Sequence, residues 1–332
     1  MTEQLPLKPI EADLAEKIRA TLEQRPALEK VVDQAVDKGL RNVVFVGAGG
    51  SLIAAYAAHY ILEREASFPV YKLQSDEFKT ARPKRIGEGS LVLLASHTGT
   101  TKETVAAAKN AREAGATVVA VAKENSPLAE AADTAFTGQS DVFFQLAAYV
   151  LLQRTGAERD WNAVEQVVKA LPEALVSAAE EGEEQAHGIA DAFKDEPITY
   201  VLGSGPSYAW AYGFAMCYLQ EMQWKHAAGF NSGEFFQGAV EVSQGTAVIN
   251  ILGEDPSRPM AERAKRFLDT YNAEKTRHID VNALTLRGIP AELRGDVSPL
   301  AVAILMGRLA KHYESLRGHD LEQRRFMFKV EY

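Results

Sequence analysis

The chain has little with which to cross-link itself, hold a metal or bind nucleic acid. It contains a single cysteine, Cys217, so no internal disulfide can form and no multi-cysteine zinc site can be built. Its seven histidines are scattered, with no H-x-x-x-H pair, and no metal is expected. Basic residues are outnumbered, 36 Lys and Arg against 45 Asp and Glu, for a net charge of −9. Phosphate backbones are bound by clustered Lys and Arg, so no nucleic-acid partner is expected. Long apolar runs are missing too. The most apolar stretch, 43–62, is broken by Gly47, Gly49, Gly50 and His59 and reads as strand, loop and helix, not as a membrane span. The N-terminal stretch is polar and has no signal-peptide h-region, so a cytoplasmic location without a membrane partner is expected. What remains is 332 residues, 46% hydrophobic and 24% charged, an ordinary globular composition with room for two domains or one large one.

Two stretches look like copies. NVVFVGAGGSLIAAYAAHY begins at Asn42 and ITYVLGSGPSYAWAYGFAM at Ile198; Gly47, Ser51 and Tyr56 match Gly203, Ser207 and Tyr212 at one offset. Ser75-Asp76-Glu77-Phe78 echoes Ser232-Gly233-Glu234-Phe235. One repeat of this size implies two duplicated domains, since solenoid periods are far shorter. In the first copy, strands are expected over 42–47, 69–73, 90–95 and 117–122, apolar on consecutive positions as in strands buried on both faces. A helix is expected over 101–114, opened by a Thr100-x-x-Glu103 capping box and stopped at Gly115. The second copy repeats the plan with strands over 198–203, 246–251 and 277–281. The expected fold class is therefore α/β: two duplicated domains, each a parallel sheet flanked by helices in three layers. The organisation read from sequence is an N-terminal helical arm (1–34), a first domain (35–157), a helical linker (158–195), and a second domain with a C-terminal tail (196–332).

Two loops could carry chemistry. Gly47-Ala48-Gly49-Gly50-Ser51 ends a strand and opens a helix, where glycines allow a sharp turn and free N–H groups face an anion. A dinucleotide fingerprint fails because Leu52 stands at its third glycine, and no G-K-S/T Walker signature is present. The second loop, Ser96-His97-Thr98-Gly99-Thr100-Thr101, packs hydroxyls around one glycine at the next helix N-terminus. Capping accounts for one hydroxyl; a cluster this dense suits a phosphate. Both loops lie at C-terminal strand ends, where open α/β sheets bind ligands.

The second loop resembles the S-x-S-G-x-T phosphate loop of sugar isomerase (SIS) domains, and Gly49-Gly50-Ser51 resembles the G-T-S turn of the same family. In the second half, Glu221-Met222-Gln223-Trp224-Lys225-His226 and Gly233-Glu234-Phe235-Phe236-Gln237-Gly238 resemble the K-E-x-x-x-x-H-A-E and G-E-x-x-H-G-P regions in the isomerase half of glucosamine-6-phosphate synthase. The tail Arg317–Lys329 resembles that enzyme's tail. The wording of GEFFQG and RRFMFKVEY is closer to fructosamine-6-phosphate deglycases. The resemblance runs from about Asn42 to Tyr332.

It implies an enzyme acting on an open-chain sugar with an anionic C6 group, without metal or other cofactor. Ser51, Ser96, Thr98 and Thr101 would bind the C6 anion, with Gly49, Gly50, His97, Ser204 and Glu234 also at substrate-binding positions. Glu221 would move a proton between C1 and C2 through an enediol or enolamine. Its apolar neighbours suggest partial burial, which would raise its pKa. Lys329 would assist at a sugar oxygen from a tail docked by the apolar residues 326–328. The family's histidine acid is replaced by Gln237, which orients a hydroxyl but donates no proton at neutral pH; His226 and His319 are the candidates to substitute. His97 either adds a donor to the anion cradle, for phosphate or sulfonate, or faces solvent. Nothing resembling the synthase's glutaminase cysteine precedes Asn42, so glutamine-driven amination is not expected. A homodimer or higher homo-oligomer is expected, sharing sites through the loop 232–238. Its adjacent Phe235 and Phe236 are read as an interface, or alternatively as core. The leading expectation is a fructosamine-6-phosphate deglycase. The alternatives are an aldose–ketose isomerase of a 6-phospho or 6-sulfo sugar and a non-catalytic sugar-phosphate sensor.

Overall fold

The computed structural model describes residues 4–327 and 329–331. The chain divides into two compact units: Asp13–Pro172, and Glu173 onward together with the N-terminal residues up to Ala12. Of the arm, residues 4–11 form no helix, while Leu14–Leu22 and Arg25–Asp37 are helices of the first unit.

The first unit holds a five-stranded parallel sheet of β1 (Asn42–Gly47), β2 (Val70–Gln74), β3 (Ser90–Ser96), β4 (Thr117–Ala122) and β5 (Thr134–Phe136), in the order β2-β1-β3-β4-β5. Alternate residues point to opposite faces. Phe45, Leu91, Leu93 and Val119 pack under the helices Arg25–Asp37 and Ser140–Arg154. Val44, Val92, Leu94 and Val118 pack on the other face beside Ala107, Ala108 and Ala111 of the helix Lys102–Glu113. Both faces are covered, which explains strands with no polar alternation. Each of these large side chains contributes roughly 1.5–3 kcal/mol by leaving water.

The second unit repeats the wiring with four strands, β6 (Ile198–Gly203), β7 (His226–Asn231), β8 (Ala247–Leu252) and β9 (Thr276–Asp280), in the order β7-β6-β8-β9. The duplication extends to backbone detail. A Cβ on Gly47 would lie 2.8 Å from the Leu52 nitrogen, and one on Gly203 would lie 2.7 Å from the Ser207 carbonyl oxygen. In each copy the following helix turns back onto the strand end. Gly49 and Gly205 both take left-handed φ values, 55° and 49°. Replacing Gly47 or Gly203 by Ala forces backbone to move, and each variant is expected to lose roughly 1–3 kcal/mol. Thermal melting checks this; an unchanged midpoint in both variants would contradict the close approach.

The expected capping box does not form. The helix begins at Lys102, its N-cap is Thr101, and no side chain caps it. The Thr101 hydroxyl instead bonds the Ser96 hydroxyl at 2.9 Å.

Candidate active site

In the first sheet β1 pairs with β2 on one side and β3 on the other, so the direction in which successive parallel strands are added reverses at β1 and β3. Ligands of open α/β sheets bind at that crevice, outside the carboxyl ends of the strands. The two candidate loops flank it, because Val46 is in register with Leu94. Gly49 and Gly50 are exposed, and added Cβ atoms there would meet nothing within 4 Å. Ser51 is half-buried beside them. Across the crevice Ser96 is buried, and its Oγ accepts from the Gly99 N–H at 3.2 Å. Thr98 and Thr100 share a 2.7 Å hydrogen bond. The hydroxyls thus bond one another and the loop, leaving the first turn of Lys102–Glu113 without a side-chain cap. Such a turn presents free N–H groups and the positive end of the helix dipole. Gly99, at φ 69°, is pressed against Ser126, whose Oγ a Cβ would meet at 2.0 Å. His97 is exposed at the rim.

The equivalent cradle of the second unit is filled by its own side chains. Ser204 is buried, and its hydroxyl donates to the Ser257 carbonyl oxygen at 3.1 Å. After β8 stands Asp255, also buried, whose Oδ1 accepts from the Ser257 N–H at 2.9 Å. A Cβ on Gly205 would touch that same Oδ1 at 2.5 Å. A carboxylate stands there at the position equivalent to the candidate anion site and would repel a phosphate.

Glu221 lies on a nine-residue π-helix, Phe214–Met222. Such helices are rare and frequently mark functional sites. The helix runs back along the sheet, so Glu221 stands by the start of β7, where the neighbouring Gln220 donates from Nε2 to the Ala227 carbonyl oxygen at 2.6 Å. Burial raises the Glu221 carboxyl, against the pull of the Arg324 guanidinium, and Glu322 adds to the rise. Arg324 donates to Glu221 Oε1 from Nε at 3.0 Å and pairs with it from Nη2 at 2.9 Å. His319 is at the same corner: its ring meets Trp224 edge-on, centroids 4.5 Å apart, and its carbonyl oxygen accepts from Gln223 Nε2 at 2.8 Å. Burial, Arg317 and Arg325 push the imidazole down, so it is neutral near pH 7 and is no ready proton donor.

The SIS domain model matches residues 39–149. A fructosamine deglycase of Bacillus subtilis (strain 168) is 32% identical over 95% of this chain and 99% of its own length. The chain belongs to the SIS family. A fructoselysine 6-phosphate deglycase of Escherichia coli (strain K12) is 25% identical over 91% of this chain and 89% of its own. A solved Bacillus subtilis structure assigned as a phosphosugar isomerase superposes with a TM-score of 0.85 at 30% identity, covering 97% of this chain and 100% of that one. The two parallel sheets and their helices are a duplicated SIS arrangement, and the chain is an enzyme of that family.

Not every candidate of this SIS enzyme lies where the sequence suggested. His226 is exposed at the N-terminal end of β7. Glu234 and Gln237 are exposed in a 3₁₀ turn beyond the other end of that strand. At about 3.3 Å per residue, β7 keeps them roughly 15 Å or more from Glu221 along the strand. The reading of Phe235 and Phe236 as an interface is corrected. Phe235 is fully buried and Phe236 partly so, and both meet Phe267 of the same unit edge-on, with centroids 6.2 and 5.7 Å away. The docked tail is corrected in its cause: Phe326 is 67% exposed, Phe328 lies outside the described residues, and the buried anchors are Leu321 and the Arg324–Glu221 pair. Lys329 is exposed. Sequence reading missed Asp255 and Arg324. No local pattern marked the second, whose partner Glu221 lies 103 positions away. Among the described residues, no helix is long and apolar enough to cross a membrane, and no cluster of three or more His, Cys, Asp or Glu could hold a metal.

Proposed function

We propose that this SIS enzyme is a deglycase of a fructosamine 6-phosphate. The observation that carries this reading is the uncapped helix N-terminus at the first switch point, ringed by Ser96, Thr98 and Thr101. It joins a whole-length identity of 32% to a protein named fructosamine deglycase. The C6 phosphate is held by this loop and by Gly49, Gly50 and Ser51. Glu221 takes a proton from C1 of the ketosamine, giving an enolamine, and a proton is delivered to C2. The resulting C1 imine is hydrolysed by water to an aldose 6-phosphate and the free amine. A partly buried carboxylate with a raised pKa suits such a shuttle.

A second reading is aldose–ketose isomerisation of a 6-phospho or 6-sulfo sugar. It is favoured by Gln237 in place of an acid and by the neutral state of His319. A substrate panel decides: fructoselysine 6-phosphate, glucoselysine 6-phosphate, fructose 6-phosphate and a 6-sulfo-hexose, with products identified by mass spectrometry. Release of lysine from fructoselysine 6-phosphate supports deglycation; turnover of fructose 6-phosphate or the sulfo sugar alone supports isomerisation.

We also propose a homodimer or higher homo-oligomer with shared sites in the cytoplasm. The separation of Gln237 and Glu234 from Glu221 within one chain supports sharing, since these residues can serve one reaction only if the loop comes from a second copy. Exchanging subunits between Glu221→Gln and a loop-inactivated variant would restore up to about a quarter of the sites if the pocket is shared. Verified exchange with activity still at background would mean that each site is built within one chain.

A further inference from the structure

The C-terminal tail aims a guanidinium at Glu221 in a way that surface ion pairs do not. Arg324 is anchored first: its Nη1 donates to the carbonyl oxygens of Leu321 at 2.5 Å and Gln323 at 3.1 Å. The tail beneath it is fixed in turn. The buried Leu321 donates its N–H to Glu314 at 3.0 Å, and Arg317 donates to the Gln223 carbonyl oxygen at 2.6 Å. Arg325 stacks on Trp224 with 4.0 Å from guanidinium to ring centroid. From this platform both Arg324 contacts converge on one carboxylate oxygen, Oε1. Oε2 makes no hydrogen bond among the described residues. The side chains are 11% and 20% exposed, so water screens the pair less than it would an exposed one.

We propose that Arg324 is a positioning residue for the reaction: it pins Oε1 of Glu221 through two converging contacts, leaving Oε2 free to exchange protons with the substrate. This rests on the reading of Glu221 as the proton shuttle. The charges acting on that carboxyl are Arg324 and Glu322, both from the tail. Of the elements packed against the π-helix, β6, β7 and the helix Ser207–Gly213 carry Tyr200, His226, Tyr208 and Tyr212, and the helix Arg294–Arg317 carries Arg294, Asp296, Arg308, Lys311, His312, Tyr313, Glu314 and Arg317. Arg294, Arg308, Lys311 and Glu314 are paired with Glu254, Glu183, Glu11 and Lys8, and Arg317 is bonded to Gln223. Removing Arg324 therefore removes the main force opposing protonation of a half-buried base. A cation beside a carboxylate lowers its pKa by about 1–3 units.

The test is the pH profile of kcat/KM with fructoselysine 6-phosphate for the wild type, Arg324→Ala, Arg324→Lys and Glu221→Gln. A base whose pKa rises needs a higher pH to ionise, so the acid limb of Arg324→Ala should move upward by about one pH unit. On the acid side of that limb this is a loss of about tenfold, shrinking toward the alkaline plateau. Arg324→Lys keeps the charge without the paired donors and should move the limb the same way by less. This second variant provides the readout if the alanine variant fails to fold. Limbs that coincide with the wild type, or a loss uniform across pH, would mean that Arg324 only fastens the tail and would overturn the proposal. If Glu221→Gln keeps wild-type activity, the shuttle reading itself fails, whatever Arg324 does.

Discussion

Replacing Glu221 by Gln is expected to lower kcat by about 10²–10⁴-fold, the usual contribution of a positioned general acid–base group. Glutamine preserves the shape and can still accept from Arg324 through its carbonyl oxygen, so the fold and ligand affinity should survive. KM should change little, because the interaction lost is one made in the transition state. The measurement is steady-state turnover of fructoselysine 6-phosphate, with melting temperature and ligand affinity recorded on the same preparation. A folded variant that turns over at the wild-type rate would move the proton chemistry to another residue.

The loop between β3 and its helix should carry the largest effect on binding. Ser96→Ala together with Thr98→Ala removes the hydroxyl that bonds Thr101 and accepts from Gly99, and one of the exposed hydroxyls above the uncapped helix. Hydrogen bonds to charged groups contribute roughly 1.5–3 kcal/mol each, so the double variant is expected to raise KM by about 10²-fold or more. Phosphate affinity, measured by calorimetry, should fall in parallel. Unchanged KM and unchanged phosphate affinity would place the C6 anion elsewhere, and the filled cradle around Asp255 makes the second unit a poor alternative.

Most of the first sheet was legible because β1, β3 and β4 are buried on both faces and written as nearly continuous apolar runs. The candidate anion loop was legible for a related reason: its hydroxyls are dense, local and contiguous. What escaped was either short or non-local. Strand β5 has three residues. Strand β7 reads His-Ala-Ala-Gly-Phe-Asn, with no β-branched residue to mark it. The π-helix has the same apolar spacing over a few residues as an α-helix. Phe235 and Phe236 resembled an interface because burial under Phe267 depends on a helix some thirty positions further along the chain. The Arg324–Glu221 pair joins residues 103 positions apart, and no local pattern announces it. Asp255 closes the second cradle only because Gly205 lets it come close.

The most direct measurement is the reaction in heavy water, with fructoselysine 6-phosphate as substrate and mass and NMR spectra of the products. If Glu221 takes the proton from C1, exchanges it with the solvent and returns one to C2, free lysine and a hexose 6-phosphate should appear in equal amounts, with deuterium at C2 of the sugar. Release of lysine with no label at C2 would contradict an exchangeable carboxylate shuttle, and no release of amine from this or any other fructosamine 6-phosphate would contradict the deglycase itself.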